Sequence, residues 1–135
     1  MNKIKFGILG AGGIAELMGK TIAGLSDVAS YAVASRDLSR ARAFAQRHGI
    51  QNAYGSYEEM LSDPALDLVY IATPHSHHYE QIKLCLAYGK HVLCEKAFTI
   101  NVAQAEEVLA LAKSKNLLLT EAIWTRYMRM SRNVN

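Results

Sequence analysis

The stretch Ile4-Lys5-Phe6-Gly7-Ile8-Leu9-Gly10-Ala11-Gly12-Gly13-Ile14-Ala15 constrains what this chain can fold into more than any other. Ile4, Phe6, Ile8 and Leu9 form a short, almost continuous apolar run, the pattern of a parallel strand buried on both faces. Gly10, Gly12 and Ala15 then fit G-x-G-x-x-A. A helical pattern follows at once, with Ile14, Leu17, Met18, Thr21, Ile22 and Leu25 expected on one side. Strand, glycine turn and helix, in that order, give the motif its physical meaning. The first glycine permits the tight turn, the second leaves room for a pyrophosphate against the backbone, and the small third residue lets helix and strand pack closely. Phosphate oxygens then meet the unpaired N–H groups at the positive end of the helix. The sequence thus predicts a dinucleotide site on Gly10, Gly12, Gly13, Ile14 and Ala15, against the alternative of a glycine-rich turn that binds nothing.

The rest of the chain reads as support for that unit. Tyr31 to Ser35 is predicted as a second strand, and a helix is expected over Leu38 to His48, capped by Asp37 or Ser39 and ended by Gly49. A weak third strand at Asn52 to Tyr54, a short helix at Tyr57 to Leu61 and a strong fourth strand at Leu68 to Ala72 come next. A helix from His77 to Tyr88, a fifth strand at His91 to Cys94, a helix opened by Asn101 and Gln104 in capping-box spacing, and a sixth strand at Leu117 to Thr120 complete the order. Strands alternating with helices imply an α/β fold, a doubly wound parallel sheet with right-handed crossovers and strand order 3-2-1-4-5-6. Residues 1–122 are expected to be the dinucleotide-binding domain.

A net charge of +3, dispersed along the chain, does not argue for nucleic acid, and no apolar run approaches a membrane span. The N-terminus enters the first strand directly, leaving no room for a signal peptide. Cys85 and Cys94 lack zinc-like spacing and read as buried reduced thiols, so the expected compartment is the cytoplasm.

Ligands of such sheets lie at the carboxyl ends of the strands, near the switch between the first and fourth. The end of the second strand selects the cofactor. An acidic residue there hydrogen-bonds a ribose 2′-hydroxyl and favours NAD, whereas this chain has Ser35-Arg36, with Arg40 a helical turn on. A hydroxyl and guanidinium groups suit a 2′-phosphate, which favours NADP(H) over NAD(H). The fourth strand is followed by Thr73-Pro74-His75-Ser76-His77-His78, where Ser76 is a candidate helix cap. His75 and His78 are expected to line the cofactor crevice and His77 to face solvent. No metal site is expected from these histidines, since no carboxylate or cysteine completes a ligand set. The fifth strand ends in Glu95-Lys96. A lysine at a strand mouth beside a nicotinamide can move a proton at a substrate oxygen, although composition alone reads the pair as a surface ion pair. Trp124 and Arg126 follow the sixth strand at the same end of the sheet.

Together these residues resemble the Gfo/Idh/MocA oxidoreductases, and within them the dimeric dihydrodiol dehydrogenase and NADP-dependent xylose dehydrogenase group. The resemblance runs from Ile4 to Tyr127 and rests on Gly10 to Ala15, Ser35 to Ala41, Ala53 to Glu59, Ile71 to His78, Cys94 to Ala97 and Glu121 to Arg126. It implies NADP-linked hydride transfer at a sugar or small alcohol carbon, with Lys96 assisting proton transfer. Ala97 stands where the family most often has proline. The resemblance also implies a second α+β domain that supplies most of the substrate pocket, so that residues 123–135 begin the connection to it and this chain alone turns over little. A non-catalytic dinucleotide sensor or interaction module is the alternative. Ile123, Trp124, Tyr127, Met128 and Met130, unburied in an isolated domain, predict a homo-oligomer.

Overall fold

The computed structural model describes residues 3–95 and 101–121. Six parallel strands form one sheet: β1 Ile4–Leu9, β2 Val28–Ala34, β3 Asn52–Tyr54, β4 Leu68–Ile71, β5 His91–Cys94 and β6 Leu119–Glu121. Their order is β3-β2-β1-β4-β5-β6, the doubly wound order that the alternation predicts. Helices α1 Gly13–Ala23 and α2 Leu38–His48 cover one face. Helices α3 Tyr57–Leu61, α4 His78–Ala87 and α5 Val102–Ser114 lie on the other. Alternate strand residues therefore enter different cores. Phe6, Ile8, Tyr70 and Leu93 pack on the α1/α2 side, and Leu9, Val69, Ile71, Val92 and Cys94 on the α4/α5 side. Burying both faces of the central strands explains their almost continuous apolar runs.

Several boundaries depart from the sequence pattern for local reasons. The inner face of α1 is Ala15, Met18, Gly19 and Ile22, an i, i+3, i+4, i+7 set, so Ile14 and Leu17 point outward at 52% and 64% exposure. At Gly19 this face meets α2 closely: a Cβ there would stand 2.8 Å from the His48 ring. β2 starts earlier than expected, since Val28 pairs with Ile4 at the start of β1. β6 starts later, because the chain turns at Asn116, with φ 57°, and the Leu117 N–H still bonds back to Ala112. In α5, Asn101 does cap through its side chain, accepting from the Gln104 N–H at 2.9 Å. Val102 and Leu109 of that helix are exposed. Cys85 and Cys94 are buried thiols without a disulfide. Burial pushes the Cys85 thiol up to about 12, so it stays protonated. Among the described residues, no helix is long and apolar enough to cross a membrane.

Asp63, just after α3, is a polar tie across the sheet edge. Its carboxylate accepts from the Tyr31 hydroxyl at 2.7 Å, the Tyr54 hydroxyl at 2.9 Å and the Ala65 N–H at 2.9 Å. Lys90, buried before β5, donates to the Asp63 and Leu66 carbonyls at 2.8 and 2.9 Å. Burial alone would raise the Asp63 pKa, but its three donors and the Lys90 charge hold it below the usual 3.8. Its carboxylate therefore stabilises the fold above the unfolded-state pKa, and that stability is lost as pH falls through the lower folded value. Asp63→Ala should lower stability in urea unfolding by roughly 1–3 kcal/mol near neutral pH, the cost of orphaned donors. The gap between variant and wild type should close in acid; a gap constant down to low pH would contradict this assignment.

Candidate functional site: the carboxyl ends of β1, β2, β4 and β5

At the end of β1 the chain turns at Gly10, which has φ 106° and donates its N–H to the Ala34 carbonyl of β2 at 2.8 Å. A side chain there would be strained, and its Cβ would stand 3.0 Å from Thr73 Cγ2 and 3.4 Å from the Ala72 carbonyl. Gly10 thus closes the sheet at the switch between β1 and β4. Gly12 is the N-cap of α1, with no side-chain cap bond, and both Gly12 and Gly13 are exposed. A Cβ on Gly12 or Gly13 would meet nothing within 4 Å. These two positions keep an open surface next to the first N–H groups of α1, the form of an anion cradle. Ala15 is fully buried below it.

Glu16, one residue on, would oppose an anion at this helix end if its charge stood alone. It does not: Arg47 Nη2 lies 2.5 Å from one carboxylate oxygen and His48 Nε2 2.6 Å from the other. These bonds hold the Glu16 pKa below its usual value. Glu16 and His48 escaped the sequence reading; the signal was an acidic residue in the first turn of a helix whose neighbour ends in Arg47-His48.

At the end of β2, Ser35 is buried, gives its N–H to the Tyr54 carbonyl and accepts from the Asp37 N–H with its hydroxyl oxygen at 3.2 Å. Asp37 is the cap of α2: one carboxylate oxygen accepts from the Ser39 and Arg40 N–H groups at 2.9 and 3.4 Å. Arg36 and Arg40 are exposed. The Arg36 guanidinium lies 5.9 Å from the centroid of the Tyr57 ring, within cation–π reach.

Past β4, the Thr73 hydroxyl donates to Gln81 Oε1. His78, expected to line the crevice, is instead 1% exposed beneath this turn, with Nε2 2.8 Å from the Thr73 carbonyl. A carbonyl only accepts, so Nε2 carries the hydrogen. The physical reason is the start of α4: His75–His77 form a short 3-10 turn, which rolls His78 inward and leaves His75 and His77 exposed. Ser76 makes no cap; neither this turn nor α4 has a side-chain cap bond. At the end of β5 the Glu95 N–H bonds to the Ile71 carbonyl, and the Glu95 carboxylate accepts from the buried Tyr70 hydroxyl. Burial, and then that carboxylate, push the Tyr70 pKa well up, so the phenol remains a donor. Lys96, Trp124 and Arg126 lie outside the described residues. The described residues include no group of three or more His, Cys, Asp or Glu able to hold a metal ion.

The fold and this row of strand ends define a dinucleotide-binding α/β domain. Residues 4–123 match the model of the family described as "Oxidoreductase family, NAD-binding Rossmann fold", and the chain belongs to that family. It is 48% identical to D-xylose 1-dehydrogenase (NADP(+)) of Hypocrea jecorina, over 95% of this chain and 36% of that protein. It is 54% identical to human trans-1,2-dihydrobenzene-1,2-diol dehydrogenase, over 74% of this chain and 30% of that protein. Among solved structures, KijD10, a 3-ketoreductase from Actinomadura kijaniata in complex with NADP, superposes with a TM-score of 0.89 at 33% identity, covering 98% of this chain and 42% of that one. The chain thus spans about a third of the curated relatives it matches.

The two glycines should respond differently to alanine. Gly10→Ala should cost roughly 1–3 kcal/mol of stability through its positive φ and the Thr73 contact. Gly12→Ala should cost less than about 1 kcal/mol, because its Cβ enters open space. Thermal unfolding of both variants checks this, and equal losses would contradict the packing described at Gly10.

Proposed function

We propose that this chain is the NADP(H)-binding domain of an oxidoreductase that moves a hydride to or from the hydroxyl-bearing carbon of a sugar, a small alcohol or a dihydrodiol. The observation that carries the cofactor choice is the use of Asp37 as a helix cap. With that carboxylate committed to α2, the groups presented at the end of β2 are the Ser35 hydroxyl, Arg36 and Arg40, which suit a 2′-phosphate rather than a bare ribose diol. The NADP(+) in the name of the xylose dehydrogenase and the NADP bound to the ketoreductase support the same choice.

The residues present fit the cofactor's anionic parts. Gly10, Gly12, Gly13, Ile14 and Ala15 form the open, uncapped turn that receives the pyrophosphate, and paired Glu16 adds little opposing charge there. Thr73 and His75 at the β4 mouth and Glu95 and Lys96 at the β5 mouth border the nicotinamide end. His78 supports this end from below by holding the Thr73 carbonyl. Trp124 and Arg126, which follow β6 in the sequence, are assigned to cofactor contacts as part of the same reading. When bound, NADP(H) supplies the hydride or accepts it. Lys96 gives or takes the proton at the substrate oxygen. The Tyr70 hydroxyl fixes the neighbouring Glu95 carboxylate in place. Residues 1–122 form the dinucleotide unit, and 123–135 lead toward the part of the protein that orients the substrate.

Calorimetric titration of the chain with NADPH and with NADH tests this reading. NADPH should bind more tightly, and Arg36→Ala should weaken it roughly ten- to hundred-fold, the loss of one charge-assisted contact, while leaving NADH unchanged. A preference for NADH, or an Arg36→Ala variant with unaltered selectivity, would refute the assignment at β2.

A further inference from the structure

Helices α2, α3 and α5 are each capped by a side chain, Asp37, Ser56 and Asn101, whose oxygen accepts from a first-turn N–H. Helix α1 starts at Gly12 with no side-chain cap bond. One acidic residue, Glu16, stands in its first turn. Side chains of a helix lean toward its N-terminus, so the default course of a glutamate here is toward those first N–H groups, a direction its charge also favours. Nothing at the cap stops it: a Cβ on Gly12 or Gly13 would meet nothing within 4 Å. A carboxylate lodged there would take the place of a ligand's phosphate.

The structure holds Glu16 away from that place. Arg47 Nη2 lies 2.5 Å from one carboxylate oxygen and His48 Nε2 2.6 Å from the other. A carboxylate only accepts, so Nε2 of His48 carries the hydrogen. Two donors on two oxygens, from consecutive residues at the end of α2, fix the direction of the carboxylate as well as its distance. The hold is itself braced. The His48 side chain is 6% exposed and its ring centroid lies 4.4 Å from that of Phe44. The ring fits against α1 because residue 19 is glycine, where a Cβ would stand 2.8 Å from it. The Arg47 guanidinium lies 5.5 Å from the centroid of the same Phe44 ring.

We infer that Arg47 and His48 are positioning residues for cofactor binding: they hold Glu16 off the uncapped end of α1, and without them Glu16 is an intramolecular competitor for the cofactor's pyrophosphate. The inference rests on the reading of that helix end as the pyrophosphate cradle. It gives α2 a task at each end. Its amino end draws Asp37 onto the helix backbone beside the mouth of β2, and its carboxyl end draws Glu16 down from the mouth of β1.

The test releases Glu16 and then removes it, in the full chain. Arg47→Ala is combined with His48→Phe, which keeps a ring against Phe44 and deletes the Nε2–H. In the cofactor-free protein, the amide resonances of Gly13 and Ile14 should move in this released variant and return toward wild type when Glu16→Ala is added. NADPH affinity, measured by calorimetry at low salt, should fall roughly three- to tenfold in the released variant and be restored by Glu16→Ala. Glu16→Ala alone should leave the affinity nearly unchanged, because the tethered carboxylate already lies clear of the cradle. If the double substitution unfolds the chain, Arg47→Ala at its half-exposed position carries the same comparison with smaller changes. A loss of affinity that persists after Glu16→Ala would reduce Arg47 and His48 to a structural role and overturn the inference. So would amides that do not move, or a gain from Glu16→Ala as large in the wild type as in the released variant, which is plain charge repulsion without movement. Moved amides with unaltered NADPH affinity would refute the cradle reading itself, and the competition with it.

Discussion

The close approach of β1 and β4 at Gly10 is the constraint on which the rest of the molecule depends. Gly10 takes a backbone conformation that side chains resist, bonds across to β2 and leaves 3.0 Å between its missing Cβ and Thr73. This one turn sends α1 to one side of the sheet, while β4 continues to α4 on the other. The crevice at the switch point exists because consecutive connections leave on opposite faces. Everything with functional chemistry in the described residues stands around it: the open α1 N-terminus, the arginines after β2, the Thr73 turn and Glu95.

A second layer of interactions keeps that crevice suited to an anion. Glu16 would place negative charge at the α1 terminus, but the Arg47 guanidinium pairs with it and His48 Nε2 bonds its other oxygen, tying the two helices together. Asp37 would do the same at the end of β2, and it is turned onto the backbone of α2. At the β4 and β5 mouths, Gln81, His78 and Tyr70 each bind a group next to the crevice from the buried side. Among the described residues, the carboxylates of Glu16 and Asp37 are thus committed within the protein, while Arg36 and Arg40 stand exposed beside the open end of α1.

Much of this was legible in the sequence, for physical reasons that differ by element. The central strands were readable because both their faces are buried, which leaves short apolar runs with no polar alternation to misassign. The glycine motif, Asp37, Asn101 and Gly49 mark ends by chemistry that acts within a few residues, and the structure uses each as a cap or stop. The inner face of α1 differs from the apolar pattern because Ile14 and Leu17 are large and apolar yet exposed, while Gly19, with no apolar side chain to signal it, sits against the His48 ring. His78 was misplaced because a 3-10 turn shifts the helical phase by a fraction of a turn, and nothing in three histidines reveals that phase. The Glu16–His48 and Tyr70–Glu95 contacts join residues distant in sequence, so only the folded sheet brings them together.

The most direct test of the central claim is the amide nuclear magnetic resonance spectrum of the chain titrated with NADPH. If the open end of α1 is the pyrophosphate cradle, the largest shifts will fall on the N–H groups of Gly12, Gly13 and Ile14, with a second group at Ser35 and Arg36. Shifts confined to the amino end of the sheet, or none at saturating cofactor, would contradict the account.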